Sequence, residues 1–245
     1  MNRTAAIAIA ILAIAVGAGW LFMSRSVDEV PPAVVQAPPP APARPPEVEA
    51  VALPDIAESD GMTRDLAAGF GMLGALAETL LGEEELLQRF VRVTDAVASG
   101  SSPAADLGLL APEEPFRVTE DGEQFYVDPA SFDRYDTVAE AIARIDADAA
   151  AAAYRQIEPL ADQVYSEIMG QPSAFRPVLL RALSVLNTVP IANSPAELVD
   201  AINRYRYADE ALESLTLPQK HLLRMGPANV GRIQARLRQL ARLLS

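Results

Sequence analysis

Ala5 to Met23 is a run of 19 residues without a charge, AAIAIAILAIAVGAGWLFM. Such a segment has no polar face to turn to water. As a helix rising about 1.5 Å per residue it spans roughly 28 Å, the thickness of a bilayer's hydrocarbon core. Trp20 stands near its far end, where an indole ring favours the membrane interface. Arg3 and the terminal amine precede the run, and Arg25 follows it together with Asp28 and Glu29. This charge layout favours a cytoplasmic N-terminus. A cleaved secretory signal is the competing reading, with an apolar region of usually about 7–15 residues and a small-x-small cleavage site. Trp20, Leu21 and Phe22 crowd that zone. The expectation is therefore an uncleaved anchor in a bacterial inner membrane. Residues 1–4 are cytoplasmic, 5–23 cross the bilayer, and the rest of the chain is periplasmic.

Residues 31–54 contain nine prolines, among them Pro38-Pro39-Pro40 and Pro45-Pro46. Proline lacks the amide donor and fixes φ, so residues 31–54 cannot pack as a helix or a central strand, and the linker is taken as residues 24–54. They read as a disordered, extended linker reaching about 80 Å from Asp28 to Pro54 at the polyproline rise of ~3.1 Å per residue. A ligand for an SH3-like partner is the sharper alternative, and a spacer is the usual role of such prolines beyond an anchor.

Beyond the linker, residues 55–245 form a stretch of about 190 residues, the size of one domain with a real core. The chain has no cysteine, so packing alone must hold that domain. The formal charge of the whole chain is −13, which argues against nucleic acid as a partner. The charge is also divided. All 33 acidic residues lie at or before Glu213, so residues 1–213, with 14 basic residues, carry −19. Residues 214–245 hold Lys220, Arg224, Arg232, Arg236, Arg238 and Arg242 and no acid, hence +6.

Within 55–245 the apolar period is mostly helical, and the fold class is mainly α: a multi-helix globular domain with one short β-hairpin. Ser59 reads as an N-cap, followed by Leu66, Phe70, Leu73, Leu76 and Leu80, interrupted at Gly69, Gly71 and Gly74. Glu83-Glu84-Glu85 suits the first turn of a helix that turns Leu86, Phe90, Val93 and Val97 inward. Residues 99–115 read as loop. Phe116, Val118, Phe125 and Val127 then alternate, and Asp121-Gly122 predicts a type I′ hairpin pairing Phe116 with Val127 and Val118 with Phe125. Asp146 caps a long helix with Tyr154, Ile157, Ala161, Val164 and Ile168 inward, kinked at Pro159 and ended by Gly170. Ser173 opens another helix, with Phe175, Val178, Leu179, Ala182 and Leu186 inward. Residues 189–213 give no clear period. Thr216 caps a helix stopping at Gly226, and Pro227 begins the last one.

In that last helix Val230, Ile233, Leu237, Leu240 and Leu244 make a narrow stripe. Arg232 and Arg236 flank it on one side, Arg238 and Arg242 on the other. The plain reading docks the stripe on the acidic body, its arginines facing carboxylates or water. The sharper reading makes these four arginines a contact for a partner or an anionic membrane surface.

Catalytic chemistry is not nominated. The chain has one histidine, His221, and no nucleophile elbow around a serine. Gly69, Gly71 and Gly74 spell G-x-G-x-x-G, but no strand precedes them. No residue is singled out as catalytic, cofactor-binding or metal-ligating. The expected function is a non-enzymatic interaction or scaffolding module of the envelope. Its partners are the lipid bilayer, through residues 5–23, and an envelope protein or polymer. The alternative is a carboxylate-dependent hydrolase of an envelope polymer.

Several segments together resemble a known pattern. They are Leu53-Pro54 with Ser59-Asp60, Arg89-Phe90-Val91 with Asp95, Asp128-Pro129 with Arg134-Tyr135-Asp136, Tyr154 with Pro159-Leu160, Tyr207-Ala208-Asp209, and Arg224-Met225-Gly226-Pro227 with Asn229. The pattern resembles a proteobacterial family of unknown function whose members look membrane-anchored, with a proline-rich stretch and then a helical domain. It covers roughly residues 50–245, and the R-M-G-P-x-N segment is its most specific part. The resemblance implies architecture and location, and it brings no activity, cofactor or catalytic residue.

The topology makes a prediction. Alkaline phosphatase fused after Ser245 should be active in intact cells, and green fluorescent protein exported by the same route should be dark. The reverse pair of results would place the domain in the cytoplasm.

Overall fold

The computed structural model describes residues 59–62, 84–108, 112, 114–191, 195–201 and 204–245. The expected anchor, the proline-rich linker and the apolar residues from Leu66 to Leu80 lie outside these residues. Among the described residues no helix is long and apolar enough to cross a membrane.

The first long helix, α1, runs Leu86–Ser99 and ends at Gly100, whose φ of 79° supplies the left-handed cap. Its buried face is broader than the expected stripe, adding Leu87, Val91 and Thr94, because it packs against more than one helix. Of the acid run Glu83-Glu84-Glu85, Glu83 lies outside the described residues, and Glu84 and Glu85 do not form the helix's first turn. Glu85 is left-handed (φ 55°) and lies before the helix. The capping acid is Asp60 instead. Its carboxylate accepts from the Glu85 and Leu86 amides at 2.7 and 2.8 Å. Ser59, expected as an N-cap, sits inside a helical turn over residues 59–62 and is fully buried. The expected loop 99–115 contains a short helix, α2 (Ala104–Leu107), whose Leu107 is buried. Arg92 holds Asp106 at 2.8 and 3.0 Å, and Arg89 donates to the Asp106 carbonyl.

The sheet is larger than the single hairpin expected. Strands β1 (Val118–Asp121), β2 (Gln124–Val127), β3 (Glu197–Ala201) and β4 (Arg204–Tyr207) form one antiparallel sheet in sequence order. The first hairpin pairs Val118 with Val127 and Asp121 with Gln124, so each partner lies two residues from the expected one and the turn one residue further along. The turn is Gly122-Glu123. Gly122 has φ 63° and Glu123 does not have a positive φ, the sign pattern of a type II′ turn with glycine first. A slip of the turn by one residue keeps each side chain on its face. Val127, Leu198 and Tyr207 therefore still point into the core. Strands β3 and β4 occupy the stretch that gave no period.

After two short 3₁₀ turns come α3 (Asp136–Arg144) and α4 (Ala147–Met169). Asp146 caps α4 as expected, accepting from the Asp148 and Ala149 amides at 2.9 and 3.0 Å. The helix continues through Pro159 and ends at Gly170, φ 67°. Tyr154, Ile157, Ala161 and Val164 are buried, but Ile168 is 47% exposed, because the last turn passes beyond the core. Helix α5 runs Arg176–Asn187 with Pro177 in its first turn. Ser173 does not cap it. The Phe175 amide goes to Asp162 Oδ1 at 2.7 Å, and Ser173 is tied to Ser166. All five inward residues expected here are buried. Phe90 of α1 meets Phe175 edge-on, with centroids 5.3 Å apart. A short helix, α6 (Glu210–Glu213), follows β4. Thr216 and Gln219 cap α7 (Leu217–Leu223), which ends three residues short of Gly226.

The last helix, α8 (Pro227–Leu244), lies at the centre of the packing, against α3, α4, α5 and α7. Val230, Ile233, Leu237, Leu240 and Leu244 are all at most 3% exposed. Its start is sterically defined. Gly226 has φ 84° and ψ 159°, a region open essentially to glycine alone. A Cβ there would lie 2.3 Å from Cγ of Phe132.

Two stability predictions follow for the full chain in detergent. Leu237→Ala or Leu240→Ala should cost about 2–5 kcal/mol, since each opens a cavity in a core that cannot fully close. Arg242→Glu, on the exposed face, should cost within ~0.5 kcal/mol. Equal melting temperatures for the leucine and arginine variants would contradict a docked α8. Gly226→Ala should cost roughly 2 kcal/mol or more, through strain and collision together. Adding Phe132→Ala should remove the collision but not the strain, giving a non-additive cycle.

Candidate functional site

Three of the segments that carry the family resemblance, Asp128–Asp136, Tyr207–Asp209 and Arg224–Asn229, meet at the corner between the sheet and the start of α8. Asn229, 1% exposed, donates to Asp136 Oδ1 at 2.9 Å and to the carbonyls of Met225 and Phe132 at 3.1 and 3.3 Å. Its own oxygen accepts from Arg232 at 3.2 Å. Arg134 donates to the carbonyls of Ser131 and Glu114, both at 2.8 Å. Burial pushes the Tyr207 hydroxyl up from its ordinary pKa, against the opposing pull of Arg224, which is hydrogen-bonded to it. Glu213 is lowered: burial works against its charge, but Lys220 at 2.8 Å and the Tyr207 amide at 3.0 Å outweigh it. The cavity enclosed here, between Val127, Phe132, Tyr207, Arg224 and Val230, measures about 20 Å³. That is room for about one water molecule. The corner holds the sheet, the 3₁₀ turns and α8 together, and it has no space for a ligand.

The larger concavity lies elsewhere. An open groove of about 570 Å³ runs between the α3–α4 junction and the outer side of α8, lined by Arg144, Asp146, Asp148, Arg236, Gln239 and Arg242. Each side chain reaches it for a local reason. Arg236 is half-buried and donates to the Ala143 carbonyl, near the end of α3, and to Gln239 Oε1 at 2.7 Å. Arg144 pairs with Glu140 one turn back at 3.2 Å, with both side chains more than half exposed. The Asp146 Oδ1 is committed to the α4 amides. Among the described residues Arg242 and the Asp148 carboxylate have no hydrogen-bond or ion-pair partner.

The four arginines singled out from sequence thus separate. Arg236 and Arg242 meet in the groove, joined by Arg144, which the helical pattern did not point to. Arg232 turns to Asn229, 3.9 Å from Asp136. Arg238 reaches back to Gln234 at 3.4 Å. Gln234 is buried, donating to the Leu186 and Val189 carbonyls at 3.0 and 2.8 Å, and it ties α8 to the end of α5.

Two carboxylates on α4, Glu158 and Asp162, stand one turn apart and bear on the hydrolase alternative. Glu158 forms a two-point pair with Arg176. Asp162 is raised chiefly by burial, eased by the Phe175 amide and aggravated by Glu158. Both are engaged in joining α4 to α5. His221 is 2% exposed in the core of α7. Among the described residues no group of three or more His, Asp or Glu could hold a metal ion.

Comparison with curated proteins and with solved structures returns no match. Residues 86–241, more than half of the chain, match the family described as Protein of unknown function (DUF3014), and the chain belongs to that family.

Proposed function

We propose that this protein is a membrane-anchored envelope protein whose domain is a non-enzymatic interaction or scaffolding module. The apolar run 5–23 and the proline-rich residues 24–54 support the location: an anchor in the inner membrane and a spacer holding the domain away from it in the periplasm. The observation that carries the interaction role is the groove between α3, α4 and α8. Apart from half-buried Arg236, its charged side chains are exposed to solvent. Catalysis gains most from preorganised charges in a dry site, whereas reversible docking uses exposed charge to steer and align a partner. Glu158 and Asp162 give the hydrolase alternative no comparable support, because both Glu158 oxygens go to Arg176 and the Asp162 Oδ1 to the Phe175 amide, joining α4 to α5.

A photoreactive amino acid placed at Gln239, on the groove, tests this in intact cells. Covalent adducts with a discrete envelope protein or polymer are expected, and they should be absent from the same probe at Val199, on the outer face of the sheet. Adducts equally strong from both positions, or from neither, would contradict an interaction role for the groove.

A further inference from the structure

Building on the interaction role of this groove, we infer that it receives an acidic segment of a partner protein, with partner carboxylates against Arg236 and Arg242 and a cationic side chain against Asp148. The groove is prepared for this in three ways. Arg236 is held in place by the Ala143 carbonyl and Gln239, so its guanidinium loses little freedom on binding. Arg242 is exposed, and among the described residues it has no partner to give up. Arg144 has only the exposed Glu140, a pair worth ~0–1 kcal/mol, which it can exchange for a new carboxylate.

Asp146 and Asp148 decide the class of partner. A phosphate-rich polymer or an anionic membrane would press negative charge on both aspartates and on a chain with 33 acidic and 20 basic residues. A peptide alternates its charges at side-chain spacing. It can meet the arginines with carboxylates and Asp148 with an ammonium group. The Asp146 Oδ1 is taken up by the α4 amides, which leaves Asp148 as the groove's selective anionic contact.

The test uses the full chain in a nonionic detergent and a fluorescein-labelled peptide, Glu-Glu-Lys-Glu-Glu, followed by anisotropy. Saturable binding is expected, weakened several-fold when salt rises from about 0.05 to 0.5 M. Arg242→Glu should reduce affinity about tenfold or more, with an unchanged melting temperature. Asp148→Lys should weaken this peptide while improving Glu-Glu-Glu-Glu-Glu. Arg238→Glu, off the groove, should leave binding unchanged. Absence of saturable binding, indifference to Arg242→Glu, or displacement by inorganic phosphate or glycerol phosphate at matched charge overturns the acidic-peptide assignment. If Gln239 still yields adducts in cells after such a failure, the interaction role stands with a different partner chemistry; if those adducts are missing too, both fall.

Discussion

The burial of one face of α8 is the interaction on which the other elements depend. Five aliphatic side chains from Val230 to Leu244 enter the core, and through them α8 touches α3, α4, α5 and α7. Burying a Leu or Ile side chain is worth about 1.5–3 kcal/mol, so this one stripe outweighs any exposed ion pair on the helix. The stripe can exert that influence only if the helix starts at the right place and angle. Gly226 and Phe132 set the start by close approach, and Asn229 secures it by reaching three acceptors on two segments. The same interaction explains why the stripe is not available to a membrane surface: its leucines are already inside the domain.

A basic tail following an acidic body suggests pairing of unlike charges. The structure uses the arginines differently. Of the four on α8, only Arg232 approaches a carboxylate among the described residues, and at 3.9 Å. Arg236 caps the end of α3 through the Ala143 carbonyl, and Arg155 of α4 does the same for the end of α8 through Leu243. Helix C-termini leave carbonyls without intrahelical donors and carry a partial negative charge, so a guanidinium there satisfies both. Of the basic tail, Arg236 thus serves a helix end, and Arg242 is left over.

What the sequence made legible follows from how local each signal is. Asp146, Gly170, Thr216 and Pro227 mark helix ends because their effect operates within four residues, and each stands at or beside the end it marks. The Asp60 cap on α1 could not be read that way, since donor and acceptor are 25 residues apart in sequence. Strands β3 and β4 are four or five residues long, too short to establish a period. Yet Arg204-Tyr205-Arg206-Tyr207 does alternate, with Tyr207 inside and Arg206 outside. The hairpin register differs by two residues because Asp-Gly and Gly-x turns both fit the same stretch, and the observed turn, one residue further along, goes with β2 pairing to β3. The candidate groove was half legible. Periodicity exposes Arg236 and Arg242, but Arg144, Asp146 and Asp148 come from another helix junction, and only tertiary packing brings them alongside.

The groove is itself a consequence of that packing. Helix α3 ends at Arg144 and α4 starts at Ala147, so the chain turns within two residues, with Ile145 fully buried beneath. This sharp turn sets the end of one helix and the start of the next beside the outer side of α8. A helix end rich in carbonyls draws in Arg236, and a helix start rich in amides draws in Asp146. Once those two demands are met, Arg242, Arg144 and Asp148 are left facing solvent around the same depression. Folding has no further use for them, since none is buried and neither Arg242 nor Asp148 has a partner among the described residues. Substituting these three changes what the groove can attract without disturbing the α8 stripe, which is the property a docking surface needs if its specificity is to vary while its fold stays fixed.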